Sequence, residues 1–558
     1  MRSPDTESHG NQAPRDAQAE DDAHSLADMG HSQTLSRKFG SLSLFFLSFI
    51  VLGTWSTAGQ SLSSALGSGG PALILWGLVL VTICNVCVAV SIAELCSSMP
   101  TALGQAYWVS RLWPGQWGRF ASYMCAWINT FGWWTLSASQ LAFMTSFLLS
   151  MKVNYDPEWS GASLGWVQFL LYFAMSMVGT LANIGAGRRD AILPFINNFV
   201  GVWFVVLFFV FSLALVIAVG TKSDQLSFQP ASFVFTAWIN QDGWSDGVAF
   251  FLGLVQAAFS LTAFDAAVHM VEEIPAPRKN VPRILWSSVT LGGVTGFFFM
   301  VVCMYCIQDF DTVLNGPTGI PFVDLLVQTV GLQGATALLS LFIFNGIGMA
   351  FSIITSSSRL TWGLARDGGL PWDEYFGHVD KTWQVPVRAL WLQGILTGLV
   401  GLLYTFASTV LQAILSVTTI ALTISYAIPI VVLLVVGRDK LPPGGEFPLG
   451  RFGPVINVVS VIYCCVTTVF FFFPASPDPT GENMNYAIAV FGVMMVISLV
   501  LWVVEGRHKY LRTGHAEERM EQARRLEVEV LQGIGKNEGE KANGDDGKDG
   551  KERGAVSK

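Results

Sequence analysis

Residues 41–60 read SLSLFFLSFIVLGTWSTAGQ, and this stretch determines how the rest of the chain is interpreted. Residues 41–52 form an apolar run, whereas residues 53–60 are rich in glycine and hydroxyl side chains. Glycine weakens a helix, and Ser and Thr side chains compete for backbone hydrogen bonds. The stretch therefore predicts a helix that enters a membrane and is interrupted near mid-depth.

An interrupted helix frees backbone groups, and in a bilayer it persists only where it is buried in protein or lines a cavity. The free N–H groups at the start of the next half-helix can bind a carboxylate, and the freed carbonyls can hold an ammonium. We therefore expect substrate contacts from Gly53, Thr54, Trp55, Ser56 and Thr57. Composition leaves open the alternative that the small residues form a close helix-packing face.

Apolar runs of bilayer length recur along the whole chain. Hydrophobic residues make up 52% of the sequence, charged residues 13%, and the mean hydropathy is +0.49. A spanning helix needs about 20 mostly apolar residues. The runs, numbered span 1 to span 12, lie at 42–66, 72–97, 119–150, 163–183, 194–219, 248–272, 284–306, 335–357, 387–406, 410–436, 454–474 and 486–504. The sequence predicts an all-α polytopic membrane protein with about twelve transmembrane helices.

The distribution of Lys and Arg predicts the orientation of these spans. Nineteen of the 32 basic residues lie in the flanks and loops on one side, and only Lys152 and Lys222 lie on the other. Basic residues concentrate on the cytosolic side of membrane proteins. The bias predicts an even number of spans with both termini cytosolic.

The two ends of the chain differ in composition from the apolar region. We expect residues 1–36 to form a disordered cytosolic tail, since they lack an apolar run and with it the core of a signal peptide. Residues 37–508 are predicted to form the transporter domain, followed by a polar cytosolic tail at 509–558. That tail contains one helix candidate at 516–532.

Span 6 contains a second interruption, QAAFSLTAFDAAVHM at residues 256–270. Spans 1 and 6 are corresponding segments if the chain consists of two five-span halves and two further spans, and paired interruptions of this kind indicate a transporter's binding site. We expect Phe259, Ser260 and Thr262 to contact substrate. Asp265 is the clearest carboxylate within a span, so it is a functional candidate.

Three further carboxylates lie at span ends on the side of the membrane where the basic residues are concentrated. Glu94 lies at the end of span 2, and Glu272 and Glu273 lie at the end of span 6. A functional role and a water-facing interfacial position remain equally open for these three side chains.

Four motifs, taken together, resemble the amino acid–polyamine–organocation superfamily of transporters. They are AELCSSMPTALGQAYW at 93–108, NIGAGRRDAILPFIN at 183–197, DAAVHMVEEIPAPRKNVP at 265–282 and SSRLTWGLARDGGLP at 357–371. They occur in order and on one predicted membrane side, and the resemblance extends over roughly residues 40–505. Asp265, the Gly69-Gly70-Pro71 segment and the long tails resemble the fungal amino acid/choline branch, which includes γ-aminobutyrate and choline permeases.

This resemblance implies a leucine-transporter-like fold. Two inverted five-helix repeats would occupy about 41–220 and 247–437, with two peripheral helices at about 453–505. Phe259 matches the aromatic residue that gates the site, and Asp265 matches a position for proton coupling or amine recognition. Some relatives carry a lysine in span 5, but Pro194–Gly220 contains none. That departure directs attention to Asp265, with His269 one turn later, as the proton-coupling candidates.

Other polar and aromatic residues are weaker candidates for the site. Asn129 in span 3 is a plausible wall residue among Trp127, Trp133 and Trp134, which could stack on a quaternary ammonium or simply pack. Hydroxyl groups in span 8 could complete a sodium-like site or bond back to their own helix. They belong to Ser352, Thr355 and Ser356.

The residues together favour a secondary transporter for amino acids, γ-aminobutyrate, choline or related amines. We expect proton coupling and alternating access, with a plasma-membrane location preferred over a vacuolar or other organelle membrane. Membrane lipid is the expected surrounding partner. A nutrient sensor on the same fold, and an exporter or importer serving a specialised biosynthetic pathway, remain alternatives.

Several functional classes find no support in the sequence. No basic stripe with interleaved aromatic residues indicates nucleic-acid binding. Six of the seven histidines lie in tails or loops, so we expect neither an enzyme nor a metal site. The eight cysteines lie in apolar segments without histidine partners, and no cofactor is predicted.

Overall fold

The computed structural model describes residues 33–405, 410–481 and 484–512, together with Asp22, Leu26, Ala27 and residues 29–31. The described residues from Leu35 to Tyr510 form one compact unit. Most of the predicted tail at 1–36 and all of the helix candidate at 516–532 lie outside the described residues. The predicted domain and repeat boundaries remain predictions.

Within these ranges the chain is helical and contains no β-strand, which confirms the predicted fold class. The helices of the first six spans are Ser41–Leu52, Thr54–Gln60, Gly70–Ser98, Gln116–Tyr155, Gly165–Gly187, Ile192–Thr221, Asp246–Ser260 and Ala266–His269. Those of the last six are Pro277–Cys306, Pro321–Arg366, Val387–Val400, Val410–Val436, Gly453–Phe471 and Ala487–Leu501. Short helices in the connections include Ser63–Leu66, Gln105–Leu112, Ala231–Thr236, Phe310–Leu314 and Asp373–Phe376.

The lengths and composition of these helices match the twelve predicted spans. Among the described residues, nine helices are long and apolar enough to cross a membrane. Two shorter apolar helices, Asp246–Ser260 and Val387–Leu403, occupy the positions of spans 6 and 9. Span 3 is the 40-residue helix Gln116–Tyr155, which mixes Ser, Thr and Asn with its apolar side chains.

The predicted interruption of span 1 is present at Gly53. This residue has φ 54° and ψ 30°, a left-handed conformation that ends one helix and begins the next. Glycine adopts this conformation without the steric cost that a Cβ atom adds. A Cβ built at Gly53 would lie 2.2 Å from Cε of Met349, so the end of this span 8 side chain would have to shift to admit a larger residue.

The interruption of span 6 lies between its two helices, at residues 261–265. Ala263 has φ +69°, an uncommon conformation for a residue other than glycine. The chain resumes a short helix at Ala266 and turns into span 7 after His269. Both predicted helix breaks are therefore observed.

Span 1 is more deeply buried than spans 11 and 12. In the most apolar stretch of span 1, 83% of the residues are buried, against 28% in span 11 and 17% in span 12. Span 1 packs against spans 5 and 7, while span 3 packs against spans 8 and 10. The two interrupted helices therefore lie in the interior of the bundle, where free backbone groups avoid lipid.

Candidate functional site

The polar side chains of the span 1 break bond mainly to their own segment. Oγ1 of Thr57 donates to the carbonyl oxygen of Leu52 at 3.2 Å, which satisfies one group freed by the break. Oγ of Ser56 accepts from Nε2 of Gln60 at 3.2 Å. These contacts hold the half-helix after Gly53 in a defined position.

Two residues expected at the substrate site lie against other helices. Trp55 is buried in a cluster of phenylalanines, with ring centroids 5.1 Å from Phe204 and 5.0 Å from Phe299. Thr54 packs against Gly292 and Gly296 of span 7, where a side chain in place of either glycine would collide with it. Both side chains therefore pack the break against spans 5 and 7.

One side chain joins the two interrupted helices. Nε2 of Gln256 in span 6 donates to the carbonyl oxygen of Ala58 in span 1 at 2.8 Å. Three residues later, the ring of Phe259 lies 6.1 Å from Phe143 of span 3. Ser260 and Thr262 bond back to the carbonyls of Ala257 and Ala258, at 2.9 Å and 2.6 Å.

The main polar centre lies around Asp265, whose side chain is fully buried. Its Oδ2 atom accepts from Nε2 of Gln105 at 2.7 Å and from Nε1 of Trp133 at 3.3 Å. Its Oδ1 atom accepts from the hydroxyl of Tyr426 at 2.7 Å. The carboxylate therefore joins span 3, span 10 and the connection after span 2.

His269 completes this centre, since its Nε2 lies 3.0 Å from Oδ2 of Asp265. The other ring nitrogen, Nδ1, lies 2.9 Å from the carbonyl oxygen of Ala102. A carbonyl only accepts, so Nδ1 carries a proton in this arrangement. Nδ2 of Asn129 lies 3.5 Å from Nε2, which places Asn129 against the Asp265–His269 pair.

Tyr426 ties the carboxylate to the strained backbone of the break. Its hydroxyl donates to Asp265 and accepts from the backbone N–H of Ala263 at 3.2 Å. The ring of Tyr426 also packs on Phe264 with centroids 4.7 Å apart. This one side chain therefore supports both the positive φ of Ala263 and the position of Asp265.

The indole N–H groups of the three span 3 tryptophans bond to different partners. Trp127 donates to the carbonyl oxygen of Gly369 at 3.1 Å, and Trp134 donates to Oγ1 of Thr361 at 3.0 Å. Trp133 donates to Asp265. Each indole N–H thus fixes span 3 to a different neighbour.

The hydroxyl groups of span 8 contact neighbouring amides. Oγ of Ser352 lies 2.8 Å from Oδ1 of Asn197, and Oγ1 of Thr355 lies 2.6 Å from Oδ1 of Asn183. Both also lie within bonding distance of carbonyls one turn earlier in their own helix. Ser356 is fully buried. The two hydroxyls thereby link span 8 to spans 4 and 5.

Of the two alternatives left open for the three interfacial glutamates, the water-facing position is contradicted, because each side chain is buried and paired with an arginine. Glu273 binds Nε of Arg359 at 2.8 Å, and Glu272 binds Nη1 of Arg366 at 2.9 Å. Glu94 pairs with Arg438 of the connection after span 10. These pairs tie spans 2, 6, 8 and 10 together on the side that carries the nineteen basic residues, termed the basic side.

Two cavities lie near the other end of the bundle, termed the acidic side. One has a volume of about 450 Å³ and is bounded by spans 1, 6, 10 and 11. The second has a volume of about 230 Å³ and lies between spans 1 and 3 and residues 318–321. Ser63 lines both cavities. The basic side thus carries three buried ion pairs, and both of these cavities lie on the acidic side.

Sequence reasoning found the buried Asp265 but missed its partners Gln105 and Tyr426. Gln105 lies within the motif at 93–108, and Tyr426 lies inside span 10, which also contains Gln, Ser and Thr residues. A polar residue inside a span was therefore the available signal. It does not reveal a partner 161 positions away in the chain.

Comparison with known proteins identifies relatives over nearly the whole apolar region. A family model described as amino acid permease matches residues 39–496. A choline transporter of Saccharomyces cerevisiae is 30% identical over 517 residues, which cover 91% of this chain and 90% of the relative. Amino-acid permease 2 of Neurospora crassa is 28% identical over 502 residues, covering 89% of this chain and 90% of the relative. An amino-acid permease of Arabidopsis thaliana is 27% identical over 497 residues, covering 87% and 94%.

Proposed function

The chain belongs to the amino acid permease family, and from this premise we propose that it moves a small amine across the membrane together with a proton. The relatives are permeases of amino acids and a transporter of choline, and the chain is accordingly a membrane transporter of amino acids or choline. The finer proposal is secondary active transport by alternating access. The buried Asp265–His269 pair carries this proposal.

The protons of this pair can be counted from its contacts. Nδ1 of His269 holds a proton because it faces the carbonyl oxygen of Ala102. The 3.0 Å contact between Nε2 and Oδ2 of Asp265 requires one more proton, on either atom. Removing that proton would place a nitrogen lone pair against a carboxylate oxygen in a site that excludes water. The pair as a unit therefore binds one exchangeable proton.

The position of the pair connects that proton to the opening and closing of the basic side of the bundle. Through His269 and Asp265, span 6 holds Ala102 and Gln105 of the connection after span 2. Loss of the proton would break the contact between His269 and Asp265 at the basic end of the interrupted helix. Release of span 6 from this connection would let the basic side open, which is one half of an alternating-access cycle.

The substrate would bind where the two interrupted helices meet. Gly53 to Thr57 and the segment beginning at Phe259 lie in the buried interior, and Gln256 joins them through Ala58. A helix start supplies N–H groups for a carboxylate, whereas freed carbonyls suit an ammonium. The proposed substrates are accordingly small amines such as amino acids, γ-aminobutyrate or choline.

The test is uptake by purified protein in sealed vesicles, with and without a pH gradient. The native protein should accumulate substrate above its external concentration only when the gradient is present. Asp265→Asn should retain substrate exchange but lose gradient-driven accumulation. Asp324→Asn is a matched control, since Asp324 is also a buried carboxylate but bonds to Thr318 at the other end of the bundle.

Accumulation by the Asp265→Asn variant equal to that of the native protein would refute the role of Asp265. Substrate binding without flux in the native protein would instead favour the sensor alternative.

We place the protein in the plasma membrane, with both termini in the cytosol. The charge bias supports this orientation, because nineteen basic residues lie on one side and two on the other. An epitope tag after Lys558 should be accessible to antibody only after the plasma membrane is permeabilised. Labelling of intact cells would contradict the orientation.

A further inference from the structure

The cavity of about 450 Å³ on the acidic side, termed the vestibule, lies outside the region of the helix breaks. Its walls come from the segment after span 1, the loop before span 6, span 10 and the end of span 11. A volume of this size is within the range of pockets that hold small ligands. The vestibule is therefore large enough for a small amine.

A carboxylate in the vestibule wall has an unused oxygen. Oδ1 of Asp242 accepts from the backbone N–H of Trp244 at 3.1 Å. Oδ2 is buried and has no hydrogen-bond partner among the described residues. A buried, unpaired carboxylate oxygen is costly, and a cation beside it removes that cost. Asp242 is also the one charged side chain among the described residues that line this cavity.

The opposite wall supplies aromatic rings. Phe470, Phe471 and Phe473 at the end of span 11 line the vestibule. A ring face attracts an organic cation, most strongly where water is partly excluded. The loop that carries Asp242 is held near these rings, because Nε1 of Trp244 donates to the carbonyl oxygen of Pro474 at 3.2 Å. A carboxylate and aromatic rings around one cavity are complementary to an ammonium group.

The charges of the surrounding loops favour the same ligand. Among the described residues on the acidic side, the two basic residues Lys152 and Lys222 are outnumbered by nine acidic ones. The acidic residues are Asp156, Glu158, Asp224, Asp242, Asp246, Asp309, Asp311, Asp324 and Asp478. A cleft surrounded by one sign of charge raises the local concentration of ions of the opposite sign. Cations are therefore enriched at this end of the bundle.

We propose that the vestibule is a binding site for small organic cations that precedes the central site, with Asp242 as the charge partner and the phenylalanines as the wall. Val255 lines the vestibule, and the next residue, Gln256, bonds to Ala58 in the span 1 break. A bound cation thus lies next to the helices that form the proposed central site. This inference rests on the proposed function for the identity of the cargo, and it selects cationic amines over anionic solutes.

Cysteine labelling tests the vestibule without requiring transport. Asn315 lines the cavity and is exposed, so Asn315→Cys introduces an accessible thiol there. The full chain also carries Cys465→Ser, which removes the exposed native cysteine. We expect a cationic methanethiosulfonate reagent to react about tenfold faster than an anionic one. Tetramethylammonium should slow the reaction. Adding Asp242→Asn should abolish the protection and reduce the difference in rate, whereas adding Asp224→Asn, which lies outside the cavity lining, should preserve the protection.

Equal rates for the two reagents, or no protection by tetramethylammonium, would overturn the vestibule site. Uptake by the native protein is measured separately. Protection of the introduced cysteine by tetramethylammonium, without uptake by the native protein, would contradict the proposed transport but not the vestibule site. Phe473→Leu, which keeps an apolar side chain but removes the ring, should weaken protection by about fivefold, and unchanged protection would exclude the aromatic wall.

Discussion

The hydroxyl of Tyr426 in span 10 lies 2.7 Å from Oδ1 of Asp265 in the interrupted span 6. Both side chains are buried, and the same hydroxyl also accepts from the backbone N–H of Ala263. The carboxylate is therefore positioned by a helix that is remote in sequence and by the shape of its own break.

Tyr426→Phe should test whether this support matters for transport. The substitution removes a donor to Asp265 and leaves the N–H of Ala263 unpaired, at a cost of about 1–3 kcal/mol for each buried group. We expect initial uptake to fall about tenfold and the melting temperature in detergent to drop. Tyr463→Phe is the control, since the hydroxyl of the partly buried Tyr463 is hydrogen-bonded only to Asn85 in the described structure, at 3.3 Å. Equal effects from both variants would mean that Tyr426 has a general packing role.

Gly53→Ala should disrupt the span 1 break for two separable reasons. The left-handed conformation costs a residue with a Cβ atom about 1–2 kcal/mol, and the added atom would lie 2.2 Å from Cε of Met349. We expect loss of uptake, with partial recovery when Met349→Ala removes the collision. Gly220→Ala should be tolerated, because a Cβ there would have no neighbour within 4 Å. Normal uptake by Gly53→Ala would contradict the requirement for glycine at the break.

Glu273→Gln should destabilise the closed basic side. Glu273 and Arg359 are each about 1% exposed and lie 2.8 Å apart, so the substitution leaves an uncompensated buried guanidinium. Breaking such a pair costs about 3–5 kcal/mol, and we expect poor expression and a large fall in melting temperature. Asp439→Asn disrupts the exposed pair with Lys440 and should change stability by less than about 1 kcal/mol. Comparable losses in both variants would refute the role of burial.

Asp380 should make the connection between spans 8 and 9 sensitive to acid. Backbone N–H groups of Trp383 and Thr382 donate to its carboxylate at 2.9 Å and 2.8 Å and lower its pKa below the ordinary value of 3.8. Because the pKa of Asp380 is lowered in the folded state, its ionised carboxylate stabilises the loop above about pH 4. This stabilisation is lost as the pH falls through the pKa of the folded state. Hydrogen exchange of these two amides, corrected for intrinsic rates, should show protection at pH 7 that declines below pH 4. In Asp380→Asn the protection should no longer vary with pH, and persistence of the decline would assign it to another group.

The fold class and the positions of the helix breaks were accessible from sequence because both are local properties. An apolar run of sufficient length has to be helical in lipid, since its backbone groups find no other partner there. Gly53 marks the first break through its own conformational freedom, and Asp265 marks the second because charge within a span is costly. These signals need no knowledge of distant residues.

The tertiary structure decided which side chains meet. Sequence located Trp55 in the span 1 break, and packing sets its ring among phenylalanines of spans 5 and 7. Packing also brings Gln105 and Tyr426 to Asp265, and it leaves Oδ2 of Asp242 unpaired in a cavity. Hydropathy and helix breaks depend on neighbours along the chain. Hydrogen-bond partners and cavities depend instead on the rotation and contact of helices that are more than a hundred residues apart, which local pattern does not encode.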